Sequence, residues 1–380
     1  MGRGMRDRRQ GTRDCVQSFV FRTFVPYFAR LPRHDGQVFR TLLKTGILLI
    51  NLGTPDSPST GDVRKYLREF LMDRRVIDIN PVSRWFLINL IIAPTRAPKS
   101  AKLYQQIWTK EGSPLLIHGL ALKEKLQQKL GNDFVVAFGM RYQRPSIHSA
   151  LEELRKASVE KIIALPLYPQ YASSSTGSTI ELLMEEFGKW EVTPALKIIS
   201  RFHHRKEYLD ALEDSAKNFN PADYDHVLFS FHGLPERHIR KSDEQYGDGK
   251  CSLGKCCEVP REGNEYCYRA NCFQTALAMA ERMKLKKEDF TISFQSRLGR
   301  DPWIKPYSDH EIIRLAKEGK KKILAFSPAF VADCLETVHE IGTEYNELFR
   351  EHGGEKIQLV PSLNSNPEWI DAVAKMVTEK

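Results

Sequence analysis

The apolar positions of this chain fall into short continuous runs rather than strict alternation, and the runs come in two sets. Residues 46–55 (GILLINLGTP) and 226–235 (HVLFSFHGLP) each lead from an apolar run through a polar residue into Gly-x-Pro. Residues 135–141 (VVAFGMR) and 292–300 (ISFQSRLGR) are β-rich and end on Arg, and residues 161–169 (KIIALPLYP) and 321–330 (KKILAFSPAF) each follow a basic helix end. Unbroken runs of this kind suit strands buried on both faces of a parallel sheet. Between them, residues 146–157 and 309–317 repeat apolar side chains at spacings of three and four, which predicts helices. The alternation predicts an α/β protein of two similar βαβ-type halves, over residues 45–204 and 205–380, each with a parallel sheet.

In such sheets ligands bind beyond the carboxyl ends of the strands. Those ends carry Asn51, Arg141, Tyr168, His232, Ser296, Arg297 and Asp333. Any one of them alone reads as the start of a loop; gathered by two facing sheets they would line one cleft. His232 suits general-base work because imidazole titrates near neutrality. Residues 330–349 read as a helix opening near Asp333, with Glu336, Glu340 and Glu344 every four residues along one face. Leu335, Val338, Ile341 and Leu348 make that helix too apolar for a purely solvated row, so the carboxylates are candidates for passing protons or hard cations. Residues 168–178 (YPQYASSSTGS) form a hydroxyl-rich loop before a helix, suited to anion binding or to ordinary capping. No phosphate-binding Gly-Lys-Ser/Thr loop accompanies it, so no nucleotide is expected.

Charge changes the picture less than its total suggests. The chain has 380 residues and a formal net charge of +9, but residues 1–44 hold nine Arg and one Lys against three Asp, or +7. The rest is nearly neutral, which argues against a nucleic-acid-binding face. Residues 1–44 read as a basic, disordered extension, with a targeting segment or membrane-surface anchor as the functional alternatives. The most apolar stretch, residues 85–93, is far short of the roughly 20 needed to span a bilayer. With Arg96 and Lys99 beside it, it reads as a buried helix or as an apolar lip edged by cations.

Five of the seven cysteines lie in one Gly-rich insert, residues 247–272: Cys251, Cys256, Cys257, Cys267 and Cys272. Thiols so concentrated in an enzyme-sized chain read as a metal site, iron–sulfur or zinc, more than as a disulfide framework. The spacing itself does not choose four ligands from the five.

Taken together, NLGTP, GMRY, YPQYASSSTGS, FSFHGLP, FQSRLGRDPW and the FVADCLET helix, in this order, resemble the ferrochelatase family from about residue 46 to 377. The resemblance implies a chelatase fold of two Rossmann-like halves with the active-site cleft between them. It also implies insertion of Fe²⁺, as substrate, into protoporphyrin IX with release of two protons. By the same resemblance His232 accepts pyrrole protons or ligates the metal, Glu336 is its partner carboxylate, and Glu340 and Glu344 continue an acidic path. Arg141, Tyr142 and Tyr168 line the cleft, Arg96 and Lys99 hold propionates, and Ser296, Trp303, Phe330 and Asp333 occupy further pocket positions. Cys334 stands where some members carry histidine. Ser173 stands where cluster-bearing animal members carry a cysteine, and the terminal cysteines of those members are absent. A [2Fe–2S] cluster would therefore use the internal segment, as in some bacterial members, and Cys272 is its weakest ligand because cluster-free relatives also carry it. A cytoplasmic monomer or homodimer touching the inner membrane face is the implied setting. Coproporphyrin III as substrate, a non-catalytic porphyrin or haem carrier, and a short sirohydrochlorin-type chelatase are the alternatives.

Overall fold

In the computed structural model, which describes residues 44–379 apart from 248, 250, 260, 298 and 300, each apolar run becomes a strand with helices packed on both faces. The basic segment 1–43 and Cys15 lie outside the described residues. In the first half the elements are β1 (Thr45–Gly53), α1 (Thr60–Met72), α2 (Pro81–Phe86), α3 (Ala93–Ile107), α4 (Pro114–Leu130), β2 (Phe134–Tyr142), α5 (Ile147–Lys156), β3 (Lys161–Pro166), α6 (Ser178–Phe187) and β4 (Ala195–Ile198). In the second they are α7 (Lys206–Ser215), β5 (His226–His232), α8 (Glu236–Tyr246), α9 (Tyr268–Arg282), β6 (Phe290–Gln295), α10 (Ser308–Lys317), β7 (Lys322–Phe326), α11 (Asn346–Glu351), β8 (Lys356–Leu359) and α12 (Pro367–Thr378). All strands are parallel, in the orders β2-β1-β3-β4 and β6-β5-β7-β8, so the two halves share one topology.

The central strands explain the unbroken apolar runs. Ile47, Leu48, Leu49 and Ile50 of β1 are each 0% exposed, because helices cover both faces of the sheet. The two expected helices appear as α5 and α10, and Ser146 caps α5 by accepting from the Ser149 N–H at 3.1 Å. The edge strands β4 and β8 are four residues each and mix Lys or Gln with apolar residues, so they give no long apolar run to read. The C-terminal helix α12 lies against α7 and α4, with Lys129 Nζ 2.5 Å from the Asp371 carboxylate.

The helix expected near Asp333 begins at Leu335, and over Leu335–Tyr345 it is wound as a π-type helix, with bonds from residue i to i+5, before α11 continues it. Asp333 fastens the turn before it. Its carboxylate accepts from the Thr337 hydroxyl at 3.2 Å, the Ser362 N–H at 3.2 Å and the Asn364 amide at 2.8 Å. A shorter π segment, Ser173–Gly177, follows β3 in the first half.

Candidate active site

His232 is the last residue of β5, and its imidazole is oriented by its own backbone. Nδ1 lies 2.6 Å from the Gly233 carbonyl oxygen. A carbonyl only accepts, so Nδ1 carries the proton and a neutral ring keeps its lone pair on Nε2. The ring lies near two aromatic side chains, with centroids 6.5 Å from Trp303 and 6.3 Å from Phe330. Trp303 is held by backbone bonds that sew its loop to the segment after β5: Glu236 N–H to Pro302 O at 2.9 Å and Ile304 N–H to Leu234 O at 2.9 Å.

The neighbouring strand end supplies the acidic side of the site. Ser296, one residue past β6, has a left-handed backbone at φ 66°, a conformation that costs a serine roughly 1–3 kcal/mol. That turn aims both its N–H (2.9 Å) and its hydroxyl (2.5 Å) at the Glu340 carboxylate, which also accepts from the Gln295 amide (3.0 Å) and the Tyr345 hydroxyl (2.9 Å). Burial pushes the Glu340 carboxyl up, Ser296, His232 and Tyr345 draw it back, and Glu336 pushes it up again. Glu340 thus feels both members of the expected catalytic pair. Glu336 also lies near Tyr66 of α1 and Tyr104 of α3: burial raises both phenols, and the Glu336 carboxylate adds to it. Glu344 is exposed and, with Glu340, lines a cavity of about 440 Å³ that also meets Ser296, Arg297 and Asp309. The three carboxylates therefore run from the half-buried Glu336 to solvent.

The first half contributes a fixed cation. Arg141, at the end of β2, puts its guanidinium 2.6 Å from the Asp73 carboxylate and 2.6 Å from the Ser178 hydroxyl. Burial alone would raise the Asp73 carboxyl; Ser178, the Arg75 N–H, Arg141 and Tyr142 together hold it below the usual range. Tyr142 is 0% exposed and donates to Asp73 at 2.9 Å, so it braces Arg141 from behind instead of reaching an open cleft. Tyr168 is buried with its hydroxyl 3.4 Å from Thr179. Phe330 packs beside Ala332 and Cys334.

Comparison with known proteins decides what this arrangement belongs to. Residues 44–380 match the Ferrochelatase family model. The chain belongs to the ferrochelatase family. It is a metal-insertion enzyme, 46% identical over 334 residues to a ferrochelatase of Coxiella burnetii (strain Dugway 5J108-111), covering 88% of this chain and 93% of that one. It is also 46% identical over 338 residues to a ferrochelatase of Legionella pneumophila (strain Lens), covering 89% and 100%. The solved structure titled "SirB from Bacillus subtilis with Fe3+" has the same chelatase architecture, with TM-score 0.50 at 13% identity over 88% of this chain and 95% of that chain.

The remaining residues expected from sequence are less concentrated. Arg96 and Lys99 are exposed on α3, after the apolar segment. Of that segment Val82, Trp85, Phe86, Leu90 and Ile91 are exposed while Ile88 is buried. No helix among the described residues is long and apolar enough to cross a membrane. A cavity of about 740 Å³ is lined by Arg74, Arg75, Arg84, His238 and Lys241, together with Tyr171 and Ser173 of the hydroxyl-rich loop. In the cysteine segment, Cys256 and Cys257 Sγ lie 3.7 Å apart. Cys267 immediately precedes α9; a bond from Cys257 and the Ala270 and Arg269 N–H groups lower its thiol. Among the described residues, however, no three His, Cys, Asp or Glu side chains are arranged to hold a metal ion. Asp73, Gln295 and Tyr345 went unread in the sequence, because each acts on another site residue and none sits in a pattern of its own.

Proposed function

We propose that the chain inserts Fe²⁺ into protoporphyrin IX, with His232 accepting the pyrrole protons. The observation that carries this reading is the imidazole held by Gly233, its ring near Trp303 and Phe330 and its neighbouring carboxylates Glu336 and Glu340. Metalation breaks two N–H bonds and forms metal–nitrogen bonds, so two protons must leave as the dehydrated ion enters. His232 takes one proton at Nε2 and must release it toward the carboxylates before it takes the second. Glu336, Glu340 and Glu344 pass charge toward the solvent-facing cavity. Arg141 offers a braced cation on the opposite wall. Trp303 and Phe330 give flat apolar surfaces on which a ring can be gripped and bent, which favours the transition state over the planar substrate. Arg96 and Lys99 are the propionate-binding cations, and the exposed side chains from Val82 to Ile91 form a lip that rests on the inner membrane face.

The test is turnover of purified protein with ferrous iron and protoporphyrin, run beside coproporphyrin III. Faster metalation of coproporphyrin would move the substrate assignment, and tight porphyrin binding without metalation would make the protein a carrier.

We also propose that the cysteine insert is a thiolate centre, a [2Fe–2S] cluster held by Cys251, Cys256, Cys257 and Cys267. The 3.7 Å Cys256–Cys257 separation supports it, being the edge expected of a tetrahedral thiolate site with metal–sulfur bonds of about 2.3 Å. Cys272 is 0% exposed within α9 and is left out of the set. No step of the metalation is assigned to this centre. Visible absorption of anaerobically purified protein tests it: a colourless protein with stoichiometric zinc, or with neither metal, overturns the iron–sulfur assignment.

A further inference from the structure

The peptide that follows His232 is held from two sides. The Gly233 N–H donates to the Gln295 carbonyl at 2.8 Å, and the Tyr268 hydroxyl donates to the His232 carbonyl at 2.8 Å. Together these bonds set the plane of the His232–Gly233 peptide. That plane directs the next carbonyl, the one that accepts the imidazole Nδ1–H.

The sheet itself cannot do this. β5 pairs with β6 as far as His232 opposite Gln295, but its pairing with β7 ends at Phe229 opposite Phe326. The last residues of β5 therefore lack a strand on one side, and a buried carbonyl there needs a donor from elsewhere. Tyr268, the first residue of α9, reaches across to supply it from a ring that is 7% exposed. The fit is tight: a Cβ at Gly233 would stand 2.8 Å from the Gln295 oxygen and 3.1 Å from the Trp303 ring. One helical turn along α9, Cys272 is fully buried.

We propose that Tyr268 is a positioning residue of the metalation reaction. Its hydroxyl fixes the His232–Gly233 peptide so that the imidazole stays in the Nδ1–H form. This rests on His232 being the proton acceptor. A ring free to exchange tautomers would spend part of its time presenting an N–H, not a lone pair, to the pyrrole N–H groups. Losing an orienting hydrogen bond of this kind lowers turnover by about 10- to 100-fold.

The test is Tyr268→Phe, which keeps the ring and removes the donor, studied in the full chain. Expected are KM values for porphyrin and iron within about 2-fold, kcat down about 10- to 100-fold, and ¹⁵N imidazole signals of His232 moving from the Nδ1–H pattern toward a mixture. His232→Ala assigns those signals. Unchanged kcat and an unchanged ¹⁵N pattern in Tyr268→Phe would overturn the proposal. If the variant also loses stability, the ¹⁵N pattern of the folded protein decides. Normal turnover by His232→Ala would instead sink the assignment of His232, an outcome separable from the tautomer measurement.

Discussion

The two halves of the molecule share a strand order and a connection pattern but differ in what their strand ends carry. The first strand of the first sheet brings Asn51 toward its carboxyl end, and its counterpart β5 ends on His232. Next to them β2 ends near Arg141, locked to Asp73, whereas β6 ends before Ser296, locked to Glu340. Both third strands are followed by a π segment, carrying Ser173, Ser174, Ser175 and Thr176 in one half and Glu336, Glu340 and Glu344 in the other. A single scaffold carries a cationic, hydroxyl-rich wall in one half and, in the other, the imidazole and carboxylates proposed above as an acid–base wall. The topology supplies positions, and the few side chains at the strand ends decide the chemistry.

The comparison can be broken most severely at its acid–base wall. His232→Ala should lower kcat by at least about 10²-fold, the smaller end of what a positioned acid–base group contributes. Asn51→Ala, at the matching place in the first half, should cost far less, and equal losses would show that the halves are not functionally divided. Steady-state metalation assays on both variants read this directly.

Next in size is Glu340. Glu340→Ala leaves four donors, from Gln295, Ser296 and Tyr345, facing a void. Unfolding in urea should show a loss of about 2–4 kcal/mol, since each stranded buried polar group costs about 1–3 and some will find water. Because the Glu340 carboxyl is raised on folding, the native protein binds its proton more tightly than the unfolded chain does. Its contribution to stability is therefore full below the unfolded value of about 4.3 and declines as pH rises above it. Glu340→Gln should remove that decline; persistence of the same pH slope would place its origin elsewhere.

Asp73, its counterpart in the cationic wall, has the opposite sign. Its carboxyl is lowered on folding, so its contribution is full above the unfolded value of about 3.9 and is lost as pH falls through the lower folded value. Asp73→Asn should cost about 1–3 kcal/mol at neutral pH, by unpairing a largely buried Arg141, and should flatten the acid limb of the stability curve. An unchanged acid limb would remove Asp73 from the account.

The smallest expected effect lies at the rim. Trp85→Ser with Phe86→Ser should leave turnover of detergent-dispersed porphyrin within about 2-fold while reducing sedimentation with anionic vesicles. Undiminished vesicle binding would detach the lip from the membrane proposal.

Much of this was legible in the chain. The six long apolar runs became six of the eight strands, all but β4 and β8, because parallel strands covered on both faces must be apolar throughout, and that requirement is local. β4 and β8 escaped because they are only four residues long and mix Lys or Gln with apolar residues. The positions of His232 and the three glutamates were readable as types and spacings. Their partners were not. Asp73 meets Arg141 across 68 residues and Ser296 meets Glu340 across 44, and Tyr268 reaches His232 across 36. Sequence alone determined two repeated α/β halves, the residue types at their strand ends and the motifs of the family. Only the tertiary structure decided which carboxylate braces the arginine, which is buried beneath four donors, and which nitrogen of the histidine is free. Those properties depend on burial and on donors from distant segments, and neither leaves a periodicity in the chain.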